Sequence, residues 1–218
     1  MNIPEISFGE DDFVKSYLGA VADVALCLKD QEYQIKNCVN MLFEAWSNNR
    51  WVFVVGNGGS AGTATHFTAD LVKTVIDRPL VKGLRALSLV DNVPLTSATT
   101  NDWGWDHAYD VTLGPYWETG SVLVVFSVHG GAGRDKAGAW SQNLIRAIRF
   151  AKDHGGKTIG LAGFDGGVMK DLCDVCIVVP ADSTPLVESF HVVLHHLVVF
   201  RLKAMIADCL NLNKEGWG

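Results

Sequence analysis

Residues 51–72, WVFVVGNGGSAGTATHFTADLV, decide how the chain is read. An apolar run from Trp51 to Val55 stops at Gly56-Asn57-Gly58-Gly59, and a helical pattern begins near Ser60. A strand that ends in glycines and feeds a helix is a βα unit, and its glycines let the backbone take positive φ and approach a ligand closely. The start of the helix offers unpaired N–H groups and a positive dipole end to an anion. Ser60 can add a hydroxyl or act as the N-cap. His66 and Asp70 follow at i and i+4, so both face the same side of this helix.

Working outward, four more short apolar runs occur at 85–90, 121–128, 157–163 and 175–180. Helical patterns near 60–77, 134–154 and 183–210 alternate with them. Continuous apolar strands that alternate with helices predict a parallel five-stranded sheet with helices on both faces, an α/β fold. Residues 8–29 and 30–49 read as an N-terminal helical hairpin, with Val14, Leu18, Val21, Ala25 and Leu28 on one face of its first helix. No linker or repeat interrupts the pattern, so one domain is expected over 1–218, with the hairpin in 1–49 and the core in 50–210. Such sheets bind ligands beyond the carboxyl ends of their strands. A second glycine loop, SVHGGAGRDK (127–136), lies at such an end. Neither loop carries the Walker or the dinucleotide spacing.

Composition narrows the function. The 218 residues carry a net charge of −6 with no basic stripe, so nucleic acid is not an expected partner. No apolar run approaches the roughly 20 residues that span a bilayer, and the N-terminus lacks a signal pattern, so no membrane role is expected. Five scattered cysteines suit a reducing, cytoplasmic compartment. Cys173-x-x-Cys176 has no second pair and reads as structural, and Trp103 and Trp105 read as packing residues.

The last helical stretch, VESFHVVLHHLVVF, holds Glu188, His191, His195 and His196. Such groups on an apolar helix are costly unless something uses them. Divalent metals take N and O donors of this kind, and an enediol mechanism needs a carboxylate base with a partner acid. His191 and His195 share a face and read as interface or surface groups. At about 100° per residue, Glu188 lies about 20° from His195 and about 80° from His196, so periodicity favours His195 as its partner.

Four stretches together, GNGGSAGTATHFTADL, TNDWGWD, GKTIGLAGFDGG and VPADSTPLVESFHVVLHH, resemble the SIS phosphosugar-binding domain, most of all the phosphoheptose isomerases. The resemblance spans about residues 30–210. It implies a flavodoxin-like sheet, a homotetramer with active sites at subunit interfaces, a sugar phosphate substrate and zinc. The activity implied is the interconversion of sedoheptulose 7-phosphate and a heptose 7-phosphate. By position, the family's helix histidine falls on His66, its catalytic glutamate on Asp70, its late glutamine on Glu188 and its catalytic histidine on His196. The resemblance thus gives Asp70 and His196 as catalytic, and His66, Asp70, Glu188 and His196 as the zinc ligands. Its register replaces the periodicity choice of His195. Asn57, Gly58, Gly59, Ser60, Asp102, Ser127, His129, Gly130, Gly131 and Glu188 fall on substrate positions.

Three departures stand out. Asp70 is one methylene shorter than the family's glutamate, and Glu188 brings a charge where glutamine is usual. The phosphate loop, usually Ser-Thr-Ser-Gly-Asn-Ser, is here Ser127-Val-His-Gly-Gly-Ala132. Either His129 and the free N–H groups of the glycines hold the phosphate, or the ligand differs. The alternative to an isomerase is a non-catalytic SIS module that senses a sugar phosphate or binds a protein.

Overall fold

The computed structural model describes residues 3, 5–9, 11–76, 79, 81–131 and 141–211. Five parallel strands form one sheet: β1 (Trp51–Gly56), β2 (Arg85–Ser88), β3 (Val122–Phe126), β4 (Lys157–Gly163) and β5 (Val175–Val179). Their spatial order is β2-β1-β3-β4-β5. This is the flavodoxin-like doubly wound order, whose direction reverses between β1 and β3. In register, Val52 pairs with Val122 and Gly56 with Phe126, so the two strands end side by side. The glycine loops that follow them therefore open into one crevice.

The strands were legible because the three central ones are buried on both faces, which requires apolar residues at every position. Successive residues face opposite layers. Val52 and Val54 pack with helices α2 (Glu32–Ser47), α3 (Gly59–Ala69) and α8 (Thr184–Cys209). Phe53 and Val55 pack with α5 (Asp110–Leu113), α6 (Gln142–Asp153) and α7 (Met169–Leu172). α8 is long and apolar enough to cross a membrane by length and composition, contrary to the expectation that no stretch would be. Leu186, Phe190, Leu194 and Val198 on it are spent on the core instead. The edge strand β5 is covered: the Gln31 side-chain amide accepts from Val178 N–H at 2.8 Å and donates to Val178 C=O.

Two expectations are corrected. In α1 (Phe13–Cys27) the buried stripe is Ala20 and Val24, continued by Leu28 beyond the helix. Val14 and Leu18 stand 52% and 60% exposed. The helix is apolar on two sides, so periodicity could not say which side meets the sheet. Helix α4 (Val93–Trp103) was not anticipated, although its signal was present. Asn92 caps it by accepting from Leu95 N–H at 3.1 Å, and Pro94 sits in its first turn. The helix expected over 134–154 is described only as α6, because 132–140 lie outside the described residues.

His191 is fully buried, which overturns its reading as a surface group. Its Nε2 lies 3.3 Å from the Ala162 carbonyl, and burial lowers its pKa to about 4. Unfolded, the ring titrates near its ordinary value of about 6.5. Below that pH the unfolded chain takes up a proton that the folded chain refuses. Stability is thus complete above about pH 6.5 and falls by about 1.4 kcal/mol per pH unit down to about pH 4. His191→Gln keeps a donor for Ala162 and removes this dependence. Urea unfolding from pH 7.5 to 4.5, at fixed protein concentration, is expected to show a shallower acid decline in the variant. Parallel declines would place the acid sensitivity elsewhere.

Candidate active site

The loop after β1 is built by close approach. A Cβ on Gly56 would lie 2.4 Å from the Ser60 carbonyl oxygen, and Gly58 has φ +57°. Ser60 is not the cap of α3. It sits inside the helix, buried, and Gly58 occupies the N-cap without a side-chain bond. A Cβ on Gly59 would lie 2.4 Å from Glu188 Oε1, so the Glu188 carboxylate rests against the start of α3. The positive helix end that the sequence offered to a ligand anion is thus faced by an anion of this chain.

α3 does not end at Ala69. It continues as a π turn over Asp70–Thr74. Such widened turns recur at functional sites because they re-aim side chains. Thr74 Oγ1 donates to Asp70 Oδ1 at 2.7 Å, which leaves Oδ2 free to face α8. There Oδ2 meets three imidazoles, with His195 Nε2 at 3.2 Å, His66 Nε2 at 3.6 Å and His196 Nε2 at 3.8 Å. Asp70 Oδ2 and both ring nitrogens of His195 are buried, yet none makes an aligned hydrogen bond. Orphaned buried polar atoms of this kind are rare and call for a missing partner.

A divalent cation fits that description. One ligand atom from each of His66, Asp70, His195 and His196 lies within 4.8 Å of the others. Burial first, then the neighbouring His196 and His66, lowers the His195 pKa to about 4, against the pull of Asp70. A neutral imidazole is the ligand form. The set differs from the sequence expectation in one member: His195 stands where Glu188 was expected. The reading of His195 as a surface or interface group is corrected too, since its side chain is fully buried. The surface-facing members are His66 and His196, with side chains 50% and 45% exposed.

The second glycine loop also differs from expectation. Gly130 N–H bonds the Ser127 carbonyl at 3.4 Å, and Gly131 N–H bonds Ser127 Oγ at 3.1 Å. These two N–H groups are therefore not free for an anion, and Ala132 and Gly133 lie outside the described residues. His129 is half-buried, its ring 4.3 Å from that of Phe164. Ser127 and His129 line a small pocket with Asn57, Ser60 and Ser141. Asp102 stands exposed near the end of α4 and accepts from Asn101 Nδ2 at 2.8 Å. Burial raises the thiol of Cys173, and that of Cys176 to about 12, which suits a structural pair.

Sequence reasoning missed Tyr109, Ser141 and Asn143, which surround the Asn57 side chain. They belong to no motif and come from distant stretches, so only the fold brings them together.

The SIS domain family model matches residues 16–163. The chain is 43% identical to the lincomycin biosynthesis protein LmbN of Streptomyces lincolnensis over 160 residues, which cover 72% of this chain and 57% of that relative. It is 33% identical to the phosphoheptose isomerase of Helicobacter pylori (strain P12), over 86% of this chain and 93% of the other. The fold matches phosphoheptose isomerase from Neisseria gonorrhoeae with a TM-score of 0.77 at 24% identity, over 88% of this chain and 97% of that one. With its 2-1-3-4-5 sheet and its two loops at the switch point, the chain belongs to the SIS domain family and groups there with the phosphoheptose isomerases.

Proposed function

We propose that the protein interconverts a phosphorylated ketose and aldose, with sedoheptulose 7-phosphate and a heptose 7-phosphate as the pair. The observation that carries this is Asp70, a buried carboxylate with one oxygen fixed by Thr74 and the other turned toward half-exposed His66 and His196. Proton transfer between C1 and C2 of a sugar needs a positioned base, and the oxygen-bound protons need a second acid/base. Asp70 carries the C1–C2 proton through a cis-enediol. His196 moves the hydroxyl proton, because it is reachable from solvent whereas its neighbour His195 is not. Glu188, against the first loop, is placed to meet substrate hydroxyls. A zinc ion held by His66, Asp70, His195 and His196 would polarise the carbonyl. Asp70 oxygen given to a cation is a weaker base, so turnover is to be measured with and without added metal.

Incubation with sedoheptulose 7-phosphate, followed by NMR, is expected to show the aldose accumulate. No isomer formed from any of several sugar phosphates, with or without zinc, would overturn this reading in favour of a binding module. The phosphate is assigned to the pocket beside Ser127 and His129. Loss of one neutral hydrogen bond there costs about 0.5–1.5 kcal/mol, so His129→Ala should raise KM by about 2- to 12-fold with kcat within twofold. Unchanged KM would remove His129 from the phosphate site.

The same reading includes a homotetramer in the cytoplasm. The exposed side of α1, with Val14 and Leu18, supports it. So does an apolar groove of about 800 Å³ lined by Leu28, Val39, Val193 and Leu197. All five cysteines are free thiols, as a reducing compartment requires. Light scattering should give four chains per particle, and a monomeric mass would contradict it.

A further inference from the structure

The first glycine loop has exposed Gly58 and Gly59 at its tip, but the side chain of Asn57 is turned inward. Asn57 Nδ2 donates to Asn143 Oδ1 at 3.0 Å and to Ser141 Oγ at 3.3 Å. Asn57 Oδ1 accepts from Asn143 Nδ2 at 2.9 Å and from Tyr109 Oη at 3.2 Å. A primary amide has two N–H donors and two acceptor lone pairs, so both donors and one lone pair are engaged, and the second lone pair shares the single Tyr109 O–H proton. The shorter branch of that shared Tyr109 bond goes to the Gly56 carbonyl at 2.8 Å, which fixes the residue before the loop. Asn143 and Tyr109 are themselves buried, and burial raises the Tyr109 phenol to about 12, so it stays a donor at any working pH. Asn143 Oδ1 additionally accepts from Leu144 N–H at 2.9 Å, which anchors it to α6.

We propose that Asn143 and Tyr109 are positioning residues that hold the Asn57 amide turned inward and so hold the Gly58–Gly59 backbone at the crevice mouth, where substrate meets that backbone rather than the Asn57 side chain. The pairing of Asn57 with Asn143 and Ser141 also ties the first loop to the start of α6, where the chain returns from the second loop. A shift of α6 would thus be felt in the first loop through one amide. The proposal rests on the isomerase reading for its kinetic consequence, but its structural half can be read without any substrate.

The test uses Tyr109→Phe, which removes one hydroxyl and keeps the ring, together with Asn143→Ala, Asn57→Ala and the double variant of the two asparagines. Amide hydrogen exchange at Ser60 and Ala61, whose N–H groups bond the Asn57 and Gly58 carbonyls at 3.1 and 3.0 Å, followed by NMR on the protein without substrate, is expected to speed up about tenfold or more in Tyr109→Phe and Asn143→Ala. Amides of β4 should keep their wild-type rates, which separates a local release from general loss of stability. Unchanged exchange at Ser60 and Ala61 in both variants overturns the proposal, whatever the substrate is. With sedoheptulose 7-phosphate, Asn143→Ala should raise KM about tenfold in the wild-type background and less than twofold in the Asn57→Ala background. Additive effects would mean that Asn143 acts independently of Asn57, and would also overturn it. If the wild-type protein turns over neither this sugar nor any other sugar phosphate tested, the isomerase reading fails while the exchange rates still decide the positioning role.

Discussion

Asp70→Asn is expected to lower kcat/KM for sedoheptulose 7-phosphate by about 10²–10⁴-fold, the range that a positioned general base contributes. The substitution is close to isosteric. An asparagine carbonyl in the place of Oδ1 still accepts from Thr74 Oγ1, the bond now 2.7 Å long, so the π turn over Asp70–Thr74 keeps its anchor. What is lost is the negative charge and proton-accepting capacity at the oxygen that faces His195, His66 and His196. Calorimetric binding of the sugar phosphate should stay within a few-fold of wild type, since the pocket of Ser127 and His129 is separate from this carboxylate. Asp70→Glu tests the missing methylene. It restores the charge but pushes it about one bond further toward α8, so it should recover only part of the rate. A wild-type rate in Asp70→Asn would move the base to another residue. Binding without turnover in the wild type itself would favour the non-catalytic module.

How much of this was legible depends on whether the information is local. Val52–Val55 and Val122–Phe126 are buried on both faces, so the sequence had to be apolar throughout and the strands stood out. The edge strand β2 is only partly buried and shorter than the run that announced it. His66 and Asp70 were legible because an i,i+4 pair on one helix must share a face. The face of α1 was not, because two apolar sides compete and only the packed chain decides between them. Tyr109 and Asn143 lie 52 and 86 residues from Asn57. Their partnership exists only because the sheet order places β1 beside β3, with α6 packed on β3 and β4. The anion nest at Gly130 and Gly131 failed for a further reason. Glycines permit an open nest, but Ser127 supplies a carbonyl and a hydroxyl that use up both N–H groups.

The register of the last helix is where two sequence arguments disagreed, and it yields the second large effect. Family position put the metal on His66, Asp70, Glu188 and His196, whereas periodicity favoured His195. In the structure both imidazoles reach Asp70 Oδ2, His195 at 3.2 Å and His196 at 3.8 Å. Adjacent residues can do so because Asp70 lies between their two directions on α8. Glu188, nearly two turns earlier, rests on Gly59 instead. Protein purified without chelator is therefore expected to hold a divalent ion, measured by elemental analysis. His195→Leu fills the same buried volume beside Phe67, 5.7 Å away between ring centroids, and removes both nitrogens. It should weaken metal binding by about 100-fold or more, as loss of a ligand exceeds the 10- to 100-fold cost of losing a ligand's outer partner. Glu188→Ala, which removes the oxygen donor altogether, should change metal affinity by no more than a few-fold while raising KM for the sugar. Thermal unfolding of both variants in chelator, at temperatures close to chelated wild type, would show that the losses are local. If Glu188→Ala loses the metal and His195→Leu keeps it, the ligand set is the one given by family position, and α8 must turn in the loaded protein to bring Glu188 to Asp70.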